Sequence, residues 1–359
     1  MRRLAAPAVA LALTAALARA QDTLRVCAGG DVTLGVNGDT VVKHGRRILP
    51  PVWPAPDSLI APIAPLFADA DVVLLNVEGA IGDGPASKCA AGRKDCFAMR
   101  MPAKAAPALR GVNERASVVA NVANNHAHDA GEDGFAQTLR LLGQSGIFVT
   151  GADSEPTLVV TGRGDTVVML GFSASAPLDV NDLDLVRRLV KRAAAVSPRV
   201  VVTMHLGAEG PKAQRTRDVP EKFVGEQRGD PVAFARAAVG SGAKLVIGHG
   251  PHVVRGIEWM DSALVFYSLG NLVTAGPFSM HPPNDRGLVA CVDLAPDGQV
   301  TRAVLRPTRQ RGAGAAMPDP RARAILLADS LGRLDFGRSS AGMTVEAELH
   351  RPASPPPPR

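Results

Sequence analysis

The sequence predicts a layered α/β sandwich with two mixed sheets, and three observations point to it. Strand-like and helix-like segments alternate from about residue 24 to residue 247, the signature of βαβ units. Short apolar strands end repeatedly in polar residues, as strands do where an α/β sheet binds its ligand. The last third instead shows Ala263–Ser268, Gly287–Leu294 and Val300–Pro307 in succession, with turns such as Pro296-Asp297-Gly298 between them, so antiparallel pairing is expected there.

The first strand spans Arg25 to Asp31. Residues Ser58–Ala70 read as an amphipathic helix that leads into the strand Val72–Val77, followed by Glu78. Val118–Asn121 is the next strand and runs into Asn124-Asn125-His126. A helix follows over Gly134–Gln144, with Phe135, Leu139 and Leu142 at helical spacing. Strands at Gly146–Val149 and Thr166–Phe172, a helix at Leu183–Ala195, a strand at Arg199–His205, a helix at Pro231–Ser241 and a strand at Lys244–Ile247 complete the alternation. Gly82–Arg100 and Gly207–Gly229 are long irregular stretches beside strand ends, where binding residues concentrate.

Composition places the chain among soluble, enzyme-sized proteins. It has 359 residues, 46% of them hydrophobic, enough for one large domain with appendages. Met1-Arg2-Arg3, the apolar run Leu4–Leu17 and the triplet Ala18-Arg19-Ala20 read as an export signal cleaved after Ala20, the alternative being an uncleaved anchor. Removing Arg2, Arg3 and Arg19 leaves 37 basic against 34 acidic residues, too even a balance for nucleic-acid binding. Cys89 and Cys96 bracket a short Gly/Lys/Arg loop and are expected to form a disulfide in an oxidising compartment. Cys27 and Cys291 lie in apolar strand patterns and read as buried thiols. The expected division is a signal over 1–20, a main domain over 21–310, an extension over 311–351 and a disordered Pro-rich tail over 352–359.

Chemistry concentrates at the strand ends. Gly248-His249-Gly250-Pro251-His252 follows the buried run Leu245–Ile247 and offers two imidazoles to one cleft, half of a metal site. Asp31, Asn76, Glu78, Asn125, His126 and His205 close other strands, so the five ends together imply one convergent site. In the 207–229 stretch, Glu209, Arg215, Arg217, Glu226 and Arg228 are candidates to contact an acidic or amide substrate. Ser268 and Asn271, in Ser268-Leu269-Gly270-Asn271, are candidates to face the cleft, and a tight turn explains Gly270-Asn271 equally well. Asn124 suits either a turn or a contact, and His128 and Asp129 suit loop orientation. His44, His281 and His350 read as surface residues. Neither a Gly-x-Ser-x-Gly elbow nor a phosphate-cradling P-loop occurs, which argues against a serine hydrolase and against P-loop ATP use.

Taken in order, Gly30-Asp31-Val32-Thr33-Leu34-Gly35, Asn76-Val77-Glu78, Ala123-Asn124-Asn125-His126 with Asp129-Ala130-Gly131, His205-Leu206-Gly207-Ala208-Glu209, Gly248-His249-Gly250-Pro251-His252 and Tyr267-Ser268-Leu269-Gly270-Asn271 resemble the successive motifs of the CapA family of capsule and poly-γ-glutamate synthesis proteins. The resemblance implies a four-layer α/β/β/α sandwich of the metallophosphoesterase kind, with a metal cleft at the strand ends. It further implies divalent ions such as Mn, Zn or Fe held by Asp31, Glu78, Asn125, His205, His249 and His252, and His126 beside the leaving group. Asn76, Asn124, Glu209, Arg215, Glu226, Arg228, Ser268 and Asn271 are the matching substrate-side candidates. Thr33 stands where the wider phosphoesterase pattern has a histidine, and Asn76 and Glu78 occupy the place of its Gly-Asp. One metal position is therefore expected to be poorer in ligands.

The implied role is an exported, periplasmic or extracellular protein that synthesises, transfers or trims an anionic polymer such as poly-γ-glutamate, alongside a membrane-bound polymer synthase. Two other readings stay open: a metallophosphoesterase acting on a small phosphate ester, and a non-catalytic module that binds the polymer.

Overall fold

A computed structural model describes residues 23–36, 41–43, 46–48, 53–84, 88–89, 96–175, 177–276, 278–343 and 348–350. The expected export signal, His44 and the expected Pro-rich tail lie outside the described residues. In chain order the principal elements are β1 (Leu24–Leu34), α1 (Pro56–Ile60), β2 (Val72–Val77), α2 (Ala105–Arg110), β3 (Ser117–Asn121), α3 (Gly131–Gln144), β4 (Phe148–Thr150), β5 (Thr157–Val160), β6 (Thr166–Ser173) and α4 (Leu183–Val196). They continue with β7 (Val200–His205), α5 (Pro231–Gly240), β8 (Leu245–His249), β9 (Ile257–Met260), β10 (Ala263–Phe266), β11 (Asn271–Ala275), β12 (Arg286–Leu294), β13 (Val300–Arg311), β14 (Ala315–Pro318) and α6 (Arg323–Phe336).

Two mixed sheets face each other. The first runs in the spatial order β14-β13-β12-β1-β2-β3-β4, with β11 also beside β1. The second runs β5-β6-β7-β8-β10-β9. Alternation along the strands builds three cores. Val26, Val72 and Leu74 turn inward to meet Val201, Leu245 and Ile247 of the second sheet. Val73, Leu75 and Val118 turn outward onto Leu59, Leu109 and Leu142 of α1, α2 and α3. Val200, Val202 and Met204 turn outward on the other side, onto Val186 of α4 and Phe234 of α5. The result is the four-layer α/β/β/α sandwich. Residues Ala324, Ile325 and Ala328 of α6 join the core between the sheets.

Local signals explain several boundaries. Helix α5 begins at Asp230, whose carboxylate accepts from the Val232 and Ala233 amides at 3.0 Å, with Pro231 at the first helical position. Helix α4 is capped in the same way by Asp182, which accepts from the Leu185 amide at 2.8 Å. The single helix expected over 58–70 is instead α1 followed by a 3-10 turn at Ala64–Phe67. Pro62 lacks an amide proton and its ring clashes with the preceding turn, so α1 ends at Ile60, and Pro65 is accommodated in the first turn of the 3-10 segment.

Cys27 and Cys291 correct a second expectation. They face each other across the antiparallel β1–β12 pair and form a disulfide, with Cα atoms 4.0 Å apart, rather than two buried thiols. The Cys89–Cys96 disulfide forms as expected.

Candidate metal centre

The strand ends meet because register aligns them. In the first sheet Asp31 lies opposite Asn76 on one side and Asn271 on the other, and Asn76 lies opposite Asn121. In the second sheet Ser173, His205 and His249 share one rung. The ladder beside Asp31 is irregular on both flanks. Close approach there demands glycine, since a Cβ on Gly30 would fall 1.9 Å from the Gly270 carbonyl oxygen.

Across the gap between the sheets, Asp31 Oδ1 is 3.4 Å from His249 Nδ1 and Asp31 Oδ2 is 3.1 Å from His252 Nδ1. Glu78 Oε1 lies 3.5 Å from His252 Nε2 and 3.8 Å from His205 Nε2. Ligand atoms of Asp31, Glu78 and His252 all fall within 4.8 Å of one another. These side chains are buried, Asp31 and Glu78 completely. Glu78 Oε1 and Oε2, Asn125 Oδ1, His205 Nε2 and His249 Nε2 have no hydrogen-bond partner. Buried polar atoms left unpaired in such number are costly unless something occupies the space between them. A divalent cation with carboxylate, imidazole and amide-oxygen ligands fits this donor set.

The electrostatics follow from crowding without solvent. Burial opposes ionisation of Asp31, but hydrogen bonding to His249 and His252 wins and holds it well below the usual carboxylate range. Burial pushes Glu78 well up. Burial also drives His205 well below an ordinary imidazole, leaving it neutral as a ligand must be. On His252 burial is overcome by the carboxylates of Glu78 and Asp31, and the imidazole is raised well above its ordinary value.

Supporting residues hold the cluster. Asn76 is buried beneath it. Its Nδ2 donates to Asp31 Oδ1 at 2.8 Å and lies 3.2 Å from His205 Nδ1, while its Oδ1 accepts from Asn121 at 2.8 Å. Asn271 Oδ1 sits 3.0 Å from His252 Nδ1, and Asn284 donates to the His252 carbonyl at 3.2 Å. Those contacts fix His252 in a left-handed backbone, φ 57°, that a non-glycine residue rarely adopts.

The Asn124–Asp129 loop forms one wall. Asn124 serves the turn, accepting from the His126 amide at 3.1 Å and donating to the Val77 carbonyl at 2.9 Å. His126 Nδ1 is 2.6 Å from Asp129 Oδ2, which also accepts from the Met99 amide at 2.7 Å. Lys88, beside the Cys89–Cys96 bridge, approaches Asp129 Oδ1 at 2.8 Å and donates to the Asn125 carbonyl at 3.0 Å. His128 turns away to Glu132 at 3.0 Å and stacks on Phe135.

The 207–229 segment supplies the opposite wall of a cleft of about 870 Å³ that reaches Asn125, His126 and His252. Glu209, Glu226 and Arg228 line it, with Arg228 paired to Glu209 at 2.7 Å and Glu226 at 3.4 Å. Arg215 is not brought there, because its guanidinium pairs with Asp335 of α6. Ser268 is buried, and its hydroxyl accepts from the Gly270 amide at 3.1 Å, a turn contact.

Three supporting residues escaped the sequence reading. Arg255, fully buried, pairs with Glu221 at 2.7 Å and donates to the Ala213 carbonyl at 2.7 Å, anchoring the 207–229 segment. Nothing local marks that arginine. Asn284 follows two prolines in a stretch that reads as loop. Asn121 carried a usable signal, an asparagine closing a valine-rich strand, where such residues are depleted.

Comparison with known proteins agrees with the motifs. Capsule biosynthesis protein CapA of Bacillus anthracis is 27% identical over 188 residues, 46% of this chain and 42% of that one. PGA biosynthesis protein CapA of Bacillus subtilis is 26% identical over 274 residues, 70% of this chain and 63% of that one. The chain thus matches less than two thirds of the length of either. A probable polyglutamine synthesis accessory protein of Mycobacterium tuberculosis is 26% identical over 305 residues, 70% of this chain and 74% of its own. Among solved structures, a 5'-nucleotidase precursor from Thermus thermophilus aligns with a TM-score of 0.42 at 13% identity, covering 86% of this chain and 58% of that one. The family profile described as bacterial capsule synthesis protein PGA_cap matches residues 25–275, which is most of the chain, and the protein belongs to that family.

Proposed function

We propose that this protein is an exported, metal-dependent member of its family that acts in the synthesis, transfer or trimming of an extracellular anionic polymer such as capsular poly-γ-glutamate. The observation that carries the reading is the buried Asp31–Glu78–His252 cluster with unpaired donor atoms around it, in a chain whose relatives are named for capsule and polyglutamate synthesis. Two disulfides support an oxidising compartment. Among the described residues no helix is long and apolar enough to cross a membrane.

In this reading Asp31, Glu78, Asn125, His205, His249 and His252 hold the divalent cation, Mn, Zn or Fe. When bound, such an ion supplies Lewis acidity and an activated water. Asn76 orients Asp31 beneath the cluster. His126, held through Nδ1 by Asp129, keeps Nε2 for proton exchange at the cleft wall. Glu209 and Arg228 orient the substrate, with a membrane-bound polymer synthase as the partner that delivers it.

Elemental analysis of the purified protein, reconstituted with Mn, Zn or Fe in turn, tests the metal site. Stoichiometric uptake is expected, lost in His249→Ala/His252→Ala. Incubation with γ-linked glutamate oligomers tests the reaction: cleavage or transfer is expected, abolished by Asp31→Asn. Trace metal only, or turnover confined to small phosphate esters, would overturn the polymer-directed reading.

A further inference from the structure

The cleft is lined by a set of apolar groups that folding alone does not explain. Val224 and Gly225 form the two-residue tip of a hairpin in which Phe223 pairs with Glu226, and both have positive φ, 48° and 84°. Turns of this hand are built from Asn-Gly or Asp-Gly, because a β-branched side chain is strained in left-handed backbone. Burial does not compensate, since Val224 is 84% exposed. Strain retained at the edge of a site is a pointer to function. Two further segments bring apolar groups to the same cleft: Phe97, 41% exposed beside the Cys89–Cys96 bridge, and Phe278, whose ring centroid is 5.1 Å from that of His252.

Charge in the cleft gives a second, independent observation. Among the described residues its lysine and arginine are Lys88 and Arg228, and both already have carboxylate partners. Asp179, Glu209 and Glu226 line the cleft as well. A run of carboxylates laid along it would meet like charge, with relief only at the cation-binding floor.

We propose that the cleft takes a ligand with a single anionic group, phosphate or carboxylate, carried on an apolar body. The anion reaches the strand-end cluster and the body packs against Phe97, Phe223, Val224 and Phe278. This rests on the cluster being the site that receives the anion. For a polymer substrate, a chain end or a hydrocarbon-linked unit enters the cleft and the polyanionic length stays outside.

Calorimetric titration of the metal-reconstituted full-length protein with methyl, butyl and octyl phosphate, and with the matching carboxylates, tests the proposal. In the series whose headgroup the site accepts, Kd is expected to fall roughly fourfold per added methylene until the cleft is filled. The variant Val224→Asn/Phe97→Ser is expected to flatten that dependence. Its thermal midpoint serves as the folding control, because asparagine accepts left-handed backbone and Val224→Asn alone is expected not to lower it. Methyl headgroup binding with no gain on lengthening the chain overturns this proposal alone. So does a chain-length dependence that survives in the variant, or an affinity for γ-linked glutamate oligomers that climbs with residue number. Absence of binding by every member of both series overturns this proposal together with the metal-site reading.

Discussion

Asp31 stays ionised in a place without water because two imidazoles outweigh the penalty of burial, and Asn76 keeps its carboxylate aimed. A partner of this kind fixes ligand geometry, and its loss typically costs 10–100-fold in metal affinity. Asn76→Ala is therefore expected to weaken cation binding by about that factor in competition with a chelator, with the fold intact by circular dichroism. The same cluster sets a pH dependence. Glu78, raised by burial, and His252, raised against burial by Glu78 and Asp31, bind protons more tightly folded than unfolded. A group raised in this sense stabilises the fold below its unfolded value and loses that contribution as pH climbs through the folded one. For His252 the unfolded value is 6.5, and for Glu78 it is 4.5. Asp31 is lowered, so its contribution is lost only in acid, below 3.8. Metal-free protein should accordingly lose thermal stability as pH rises above about 6.5, with a shallower slope in His252→Asn. A midpoint that rises across this window in chelator contradicts the assignment.

At the scale of elements, the strands that position the site were the most legible part of the chain, since Val72–Val77, Val200–His205 and Leu245–His249 are short, apolar and followed by polar residues. The same locality explains what was missed. Strand β11 is held by β1, distant in sequence, and α6 by its packing against β9, β12 and β13, whereas β5 and β9 each pair with the next strand in sequence, β6 and β10, and were missed for want of a clear alternating pattern. Pairing of Cys27 with Cys291 likewise depends on β1 lying against β12, which no local pattern reveals. Because that bridge spans a sequence separation of 264 residues, its loss should be costly. Cys27→Ala/Cys291→Ala is expected to lower stability by about 2–4 kcal/mol in denaturant melts, more than removing the short Cys89–Cys96 loop. Equal effects of the two deletions would count against a constraint on the unfolded chain as the cause. Asp230→Ala, which removes the α5 cap, should cost about 1 kcal/mol in the same assay.

For the whole molecule, the candidate ligands divide between the two sheets, with Asp31 and Glu78 from the first and His205, His249 and His252 from the second. A cation held by both sheets binds the folded state and not the unfolded one. Saturation at about 100 times Kd should therefore stabilise the protein by about 2.7 kcal/mol, read as a rise in melting temperature that a chelator reverses. Convergence of the strand ends was foreseeable from the rule that α/β sheets bind at carboxyl edges. The role of Arg255 in holding the 207–229 wall was not, because its partners Glu221 and Ala213 are chosen by tertiary packing.

Strand β1 lies in the interior of the first sheet, and its neighbours β11 and β12 are made some 240 residues after it. A nascent chain emerging from the ribosome cannot enclose Asp31 until β11 and β12 have been synthesised. Cation uptake at this cluster is then expected only after β12 has been made, and truncation before residue 294 should abolish it in the metal-uptake assay.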